Sequence, residues 1–143
     1  MKRAFRFQAA LAIAVVTLGG AVLARADHGN KDNTNETRLK TRLAGAAIQG
    51  KTPEGNAEFR SDSRGRTKFT VEVENINLPA GTMLDVAVQH MGVSHTVGHI
   101  KLSALGSGEL ELESQDGDTV PAVQAGDMVT VSNGGVTILA GVF

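Results

Sequence analysis

Short runs in which apolar residues alternate with polar ones, separated by turn residues, fill the chain after Arg38. In residues 69–74 Phe and Val alternate with Thr and Glu, and residues 84–89 alternate in the same way. A period of two places every second side chain on one face and predicts half-buried β-strands. No segment carries a convincing helical period, and the 17 glycines argue against long helices. The pattern predicts seven or eight strands in an antiparallel sandwich or barrel.

The strongest hairpin signal lies near the C-terminus. Asn133 and Gly134 separate two β-rich runs, and both residue types tolerate the positive φ angles of a tight turn. The inward positions of all predicted strands form the expected core: Leu43, Ile48, Phe59, Phe69, Val71, Val73, Leu84, Val86, Val88, Ile100, Leu102, Leu110, Leu112, Val120, Val129, Val131 and Ile138.

Residues 1–26 have the three parts of a cleavable export signal. Three basic residues within the first six precede an uncharged apolar run over residues 9–23, and a small-x-small site follows at residues 24–26. The run is shorter than the roughly 20 residues that a spanning helix needs. An uncleaved N-terminal anchor is the alternative, which the well-placed cleavage site disfavours. We expect an exported protein, periplasmic or secreted, with no membrane anchor after signal cleavage.

The chain that remains after cleavage has the size of one domain. Residues 27–38 are almost entirely polar and are predicted to be a disordered lead-in, and residues 39–143 are predicted to form the β-domain. The mature chain keeps ten of the 14 basic residues and all 15 acidic ones, which gives a formal charge of −5. This charge disfavours nucleic acid as a partner. Because there is no cysteine, no disulfide stabilises the fold.

Several short motifs occur in an order that resembles the copper-zinc superoxide dismutase fold and its relatives, among them the chordin-type CHRD domains. The resemblance implies an antiparallel Greek-key β-sandwich of seven to eight strands. It covers most of residues 42–143 and is carried by segments 43–50, 57–59, 73–81, 86–92, 97–100, 106–108 and 133–142.

The same resemblance argues against dismutase activity. The family's strand that carries a copper-binding His-x-His pair matches a strand that has Ala87 and Gln89 at those positions. The family's disulfide cysteines and its long zinc-binding loop are also missing. Neither Ala nor Gln supplies the imidazole nitrogen that redox copper requires.

Three of the four histidines, His90, His95 and His99, fall within ten residues. If the chain forms a hairpin that closes near residues 92–95, His90 and His99 lie on facing strands, and the three imidazoles would suit zinc or copper. Two alternatives stay open: three solvated histidines at a hairpin tip, or a pH-responsive surface on which neighbouring imidazolium groups repel one another.

Two charged clusters have structural and functional interpretations. Asp116 and Asp118, after a stripe of glutamates at 109, 111 and 113, offer oxygen ligands for calcium, but they lack the spacing of an established calcium loop, and we expect an Asp-Gly turn beside an acidic edge strand. The basic residues at 60, 64, 66 and 68 could bind an anionic polymer or pair across strands with the acidic stripe, and we expect cross-strand pairing.

No catalytic set is visible in the sequence. There is no cysteine, no nucleophile elbow and no Gly-rich loop before a helix, and Trp and Tyr are absent. We therefore expect no enzyme activity and no required cofactor. The expected function is an exported binding or structural module of the cell envelope or extracellular space, whose partner is an unidentified protein or envelope polymer. The alternative is a periplasmic or secreted zinc- or copper-binding protein that uses His90, His95 and His99.

Overall fold

The computed structural model of the protein describes residues 35–143, so the predicted signal peptide and most of the predicted lead-in lie outside the described residues. Within this range the chain forms antiparallel strands and one short 3₁₀ turn, and no α-helix is present, as the sequence predicts. The eight strands are β1 (Thr37–Ala44), β2 (Glu54–Ser61), β3 (Thr67–Glu74), β4 (Met83–His90), β5 (Val93–Lys101), β6 (Gly108–Glu113), β7 (Met128–Asn133) and β8 (Val136–Val142).

The first strand begins at Thr37, inside the segment expected to be a lead-in. Its sequence alternates basic residues, which are exposed, with Leu39, Thr41 and Leu43, which are half-buried or buried. This is the period-two pattern of a strand with one solvated face. Between residues 35 and 143 no helix is long and apolar enough to cross a membrane.

The strands form one eight-stranded sheet in the order β5-β4-β7-β8-β1-β2-β3-β6, with every neighbouring pair antiparallel. The two end strands, β5 and β6, approach each other where Gly98 and Gly108 lie. A methyl group on Gly98 would come within 2.8 Å of the Leu110 side chain, and one on Gly108 would collide with Ile100. The sheet is therefore nearly closed, and the two glycines permit the close approach.

The core fills the inside of this nearly closed sheet. Phe69 and Leu84 are fully buried, and most of the predicted core residues are buried with them. Four predicted core residues are only partly buried and pack against the rest: Ile48, Leu110, Leu112 and Val120. The core also contains residues that the sequence pattern did not single out, namely Ala57, Ile76, Val123 and Leu139.

Three two-residue turns in the described part of the chain have positive φ at both positions, as a type I′ turn requires. One is formed by Gln49 and Gly50 between the bridged residues Ile48 and Lys51, and the other two connect strands. The β7–β8 hairpin was predicted, and its loop residues are Gly134 (φ 55°) and Gly135 (φ 83°). The β4–β5 hairpin has Met91 (φ 48°) and Gly92 (φ 83°) in the same roles. The position of the β4–β5 turn determines which residues of β4 and β5 lie opposite each histidine.

Candidate functional site

The β4–β5 hairpin closes at residues 91 and 92, because His90 pairs with Val93. The first loop position of a type I′ turn favours Asn, Asp or Gly, and a Met with positive φ is strained there. The Met91 side chain is 89% exposed, so burial does not compensate for this strain. Val93, which follows the turn, is also exposed, at 55%.

His90 is held in a fixed orientation by a buried carboxylate. Its Nδ1 lies 2.6 Å from Oδ1 of Asp127, and the Asp127 side chain is 5% exposed. The second oxygen of Asp127 accepts a hydrogen bond from the backbone N–H of Gln124 at 2.8 Å. Burial raises the pKa of Asp127, but the hydrogen bonds from His90 and Gln124 outweigh it and hold the pKa below its usual range. The ionised carboxylate can only accept, so His90 donates from Nδ1 and presents Nε2 outward.

A tight turn before β7 positions Asp127. Gly126 has a φ of 96°, and the backbone N–H of Asp127 donates to the carbonyl of Gln124 at 3.1 Å. The C-terminal residue, Phe143, pairs with this turn on both sides, through the N–H of Gly126 and the carbonyl of Asp127. Backbone hydrogen bonds on both sides of Asp127 therefore fix the position of its carboxylate, and the carboxylate in turn orients the imidazole of His90.

His95 lies on the same face of the hairpin as His90. It pairs with Val88, which is buried and therefore faces inward, and Val88 precedes His90 by two residues on the same strand. His90 and His95 are thus diagonal neighbours, a relation in which Cβ atoms lie about 7–8 Å apart. Aromatic side chains such as those of histidine are long enough to interact across this diagonal separation.

His99 lies on the opposite face and does not meet His90, because the hairpin closes at residues 91 and 92 and His90 pairs with Val93. A β-bulge pairs Val86 with Gly98 but Ala87 with Thr96, so one extra residue shifts the alternation of β5. His99 therefore pairs with Asp85 on the outer face. Its Nδ1 lies 2.8 Å from Oδ1 of Asp85, and at about 3.3 Å per residue His99 lies about 20 Å along the strand from the turn.

The two histidines of the inner face border an open cleft of about 750 Å³. One wall is the hairpin, and the other is the stretch that leads to β7. The apolar side chains around the cleft outnumber the polar ones, and its lining is Val88, His90, Met91, Val93, His95, Thr96, Val97, Thr119, Pro121 and Ala122. In the described part of the chain, no three His, Cys, Asp or Glu residues lie close enough to hold a metal ion by themselves. Zinc or copper binding stays a prediction.

A second concave surface, of about 560 Å³, lies on the charged outer face of β1, β2, β3 and β6. Glu58 contacts Arg38, Lys40 and Arg60 there. Burial raises the pKa of Glu58, but hydrogen bonds from these three cations lower it to about 2. The opposite charges neutralise one another across the strands, so this surface offers few uncompensated charges to a ligand.

Of the basic residues near the β2–β3 hairpin, Lys68 pairs with the acidic stripe on β6 as expected, whereas Arg66 pairs within the hairpin loop and Arg60 pairs with Glu58 on its own strand. Lys68 contacts Glu111 at 2.9 Å and Glu113 at 2.5 Å on β6, and Arg66 contacts Asp62 at 2.5 Å. The acidic residues that suggested calcium form a turn instead. Asp118 accepts the N–H of Glu113 at 3.0 Å, and Gly117 has a φ of 88°.

The sequence did not identify Asp127 or Asp85 as partners of the histidines. Asp127 is separated from His90 by 37 positions, and only the pairing of β4 with β7 brings them together. Asp85 is recognisable only once the register of the β4–β5 hairpin is known. No local motif marks either residue.

No protein-family model matches the chain. No curated protein matches it either.

Proposed function

We propose that the chain is an exported, non-catalytic binding module that takes its ligand in the cleft beside the β4–β5 hairpin. The observation that carries this proposal is the exposed apolar surface at the cleft: Met91 is 89% and Val93 is 55% exposed. Soluble domains rarely leave apolar side chains grouped beside a cleft unless the surface binds something. Because residues 1–26 have the three parts of an export signal, the proposal includes export to the periplasm or out of the cell.

The strand order supports a Greek-key sandwich for the finer fold. With β5 lying against β6, the strands β7, β4, β5 and β6 follow one another around the sheet. This is the order of a Greek key, in which the fourth strand returns beside the first. The proposal extends the resemblance to copper-zinc superoxide dismutase and CHRD domains to the level of fold only.

The neighbours of Ala87 and Gln89 support a role other than dismutation. Ala87 lies between Thr96 and Thr130, and Gln89 lies between Ser94 and Met128. The residues that pair directly with these two carry no imidazole, and the histidine on the same face, His99, pairs with Asp85 instead.

Binding of an apolar fluorescent probe, anilinonaphthalene sulfonate, tests the cleft. We expect the purified protein to bind the probe and the variant Val93→Ser to lose most of that binding. Val136→Ser is the matched control, because Val136 is 69% exposed at the other two-residue hairpin and does not line the cleft. Equal binding by both variants, or none by the unmodified protein, contradicts the proposal.

Cell fractionation tests the export half of the proposal. Expression of the full chain in a bacterium that exports proteins should yield a periplasmic or secreted product whose first residue is Asp27. An uncleaved product that stays with the membrane or in the cytoplasm contradicts export.

A metal-binding role is the second candidate function. The observation that favours it is the Asp127–His90 contact, because a carboxylate on Nδ1 is the usual arrangement behind a metal-bound imidazole. His90 and His95 are the two residues of the predicted triad that share the cleft.

A further inference from the structure

Met91 occupies a loop position that folding alone does not favour. At the equivalent turn between β7 and β8 the chain uses glycine in both positions with positive φ, whereas at the turn of Gln49 and Gly50 it uses a glutamine with a φ of 48°. At the β4–β5 turn it places a methionine with a φ of 48°, and its thioether is exposed rather than packed. Strain of this kind at an exposed residue is a reason to look for a role in binding.

The thioether borders the same cleft as His90 and His95. Asp127 already accepts a hydrogen bond from Nδ1 of His90, so the other ring nitrogen, Nε2, carries the lone pair that a metal needs. His95 is exposed at the diagonal position of the hairpin and lines the same cleft. The hairpin tip thus gathers two imidazoles and one thioether within six consecutive positions.

This donor set selects among metals. Thioether sulfur is a soft ligand that copper(I) accepts, whereas zinc in proteins is bound by thiolate, imidazole and carboxylate groups. Apolar side chains, among them Val88 and Pro121, line most of the rest of the cleft, so the described lining offers no further charged ligand to the three donors.

The geometry points to a copper(I) site formed by Nε2 of His90, the imidazole of His95 and the sulfur of Met91, with Asp127 as the positioning residue behind His90. This inference rests on the proposed binding function of the cleft and names its ligand. It differs from the site expected in the dismutase-like families, whose copper-binding positions correspond to Ala87 and Gln89 on β4.

Competition with a chromophoric copper(I) chelator, under anaerobic reducing conditions, tests the site in the purified protein. We expect one copper(I) ion per chain and at least a tenfold loss of affinity in each of three variants, Met91→Leu, His90→Ala and His95→Ala. His99→Ala is the matched control, because His99 also has a carboxylate on Nδ1 but lies on the outer face. Its affinity should stay within twofold of the unmodified protein.

The proposal is overturned if the protein fails to compete with the chelator, if Met91→Leu keeps full affinity, or if His99→Ala loses as much as the other variants. A parallel titration with zinc(II) should show weaker binding that Met91→Leu does not change. Tight zinc binding without copper(I) binding also overturns it. Because Met91 and His95 are exposed, their variants keep the test valid even if His90→Ala fails to fold.

The fluorescent-probe experiment tests the binding role of the cleft separately from the proposal that its ligand is copper(I). If copper(I) binding fails while Val93→Ser still abolishes probe binding, only the identity of the ligand is wrong. If both fail, the proposed function of the cleft is wrong as well.

Discussion

At the scale of single residues, the strain at Met91 has a measurable consequence. A residue with positive φ that is neither Gly, Asn nor Asp costs of order 1 kcal/mol. Met91→Asn should therefore raise the free energy of unfolding by about 1 kcal/mol while it removes the thioether from the cleft. Urea denaturation measures the first effect. The same change at Met83, which is 51% exposed in the regular strand β4, serves as control and should not stabilise. A less stable Met91→Asn variant contradicts the account of the turn.

Because Asp127 is buried, its contact with His90 should contribute more to the free energy of unfolding than an exposed contact of the same kind. Asp127→Asn keeps one oxygen that can accept from the Gln124 N–H but replaces the charged acceptor opposite Nδ1 of His90 with an NH2 group, and should lower the free energy of unfolding by about 1–3 kcal/mol at pH 7. Asp85→Asn changes the same kind of contact to a histidine, but the Asp85 side chain is 44% exposed, so the loss should be smaller. Equal losses in the two variants, measured by urea denaturation, would show that burial of Asp127 does not matter.

The pH dependence of the same contact has a definite sign. The pKa of Asp127 is lowered in the folded chain from its ordinary value of 3.8, so its contribution to stability is present above pH 4. That contribution is lost as the pH falls through the folded pKa. The difference in stability between the unmodified protein and Asp127→Asn should therefore shrink below pH 4. A difference that stays constant from pH 7 to pH 3 would contradict the lowered pKa.

At the scale of the strands, the alternation of apolar residues predicted most elements because each strand has one buried face. It also located the β7–β8 hairpin, with the turn one residue further on than Asn133 and Gly134 suggested. The bulge in β5 was not predicted, although the apolar positions change there from Val93 and Val97 to Ile100 and Leu102, with Gly98 between them. That single inserted residue places His95 and His99 on opposite faces of the hairpin. The sequence therefore showed three neighbouring histidines but not which of them share a face.

The approach of the two end strands depends on glycine. Gly108→Ala places a methyl group against Ile100 and 3.0 Å from the carbonyl oxygen of Lys101, and should lower the free energy of unfolding by about 1–3 kcal/mol. Glu109→Ala is the control on the same strand, because Glu109 is exposed and its truncation should change stability little. Thermal unfolding followed by circular dichroism compares them. If Gly108→Ala is as stable as the control, β5 and β6 do not approach as closely as described.

At the scale of the whole molecule, the sequence supports the fold class better than the function. The strands and most of the core follow from periodicity, whereas the order of strands depends on contacts between distant segments that no local pattern encodes. The pairing of charges on the outer face illustrates the difference. Its existence was predicted from the acidic and basic stripes, but the specific contacts of Lys68 and Glu58 required the register.

The central claim is that the cleft beside the β4–β5 hairpin, and not the charged outer face, binds the ligand. The most direct measurement follows the imidazole and methionine-methyl resonances by nuclear magnetic resonance while silver(I), a redox-stable substitute for copper(I), is added. The account predicts that the Nε2 resonances of His90 and His95 and the methyl of Met91 shift together and saturate at one equivalent, while His99 does not move. No shift in the cleft, or an equal shift of His99, would contradict it.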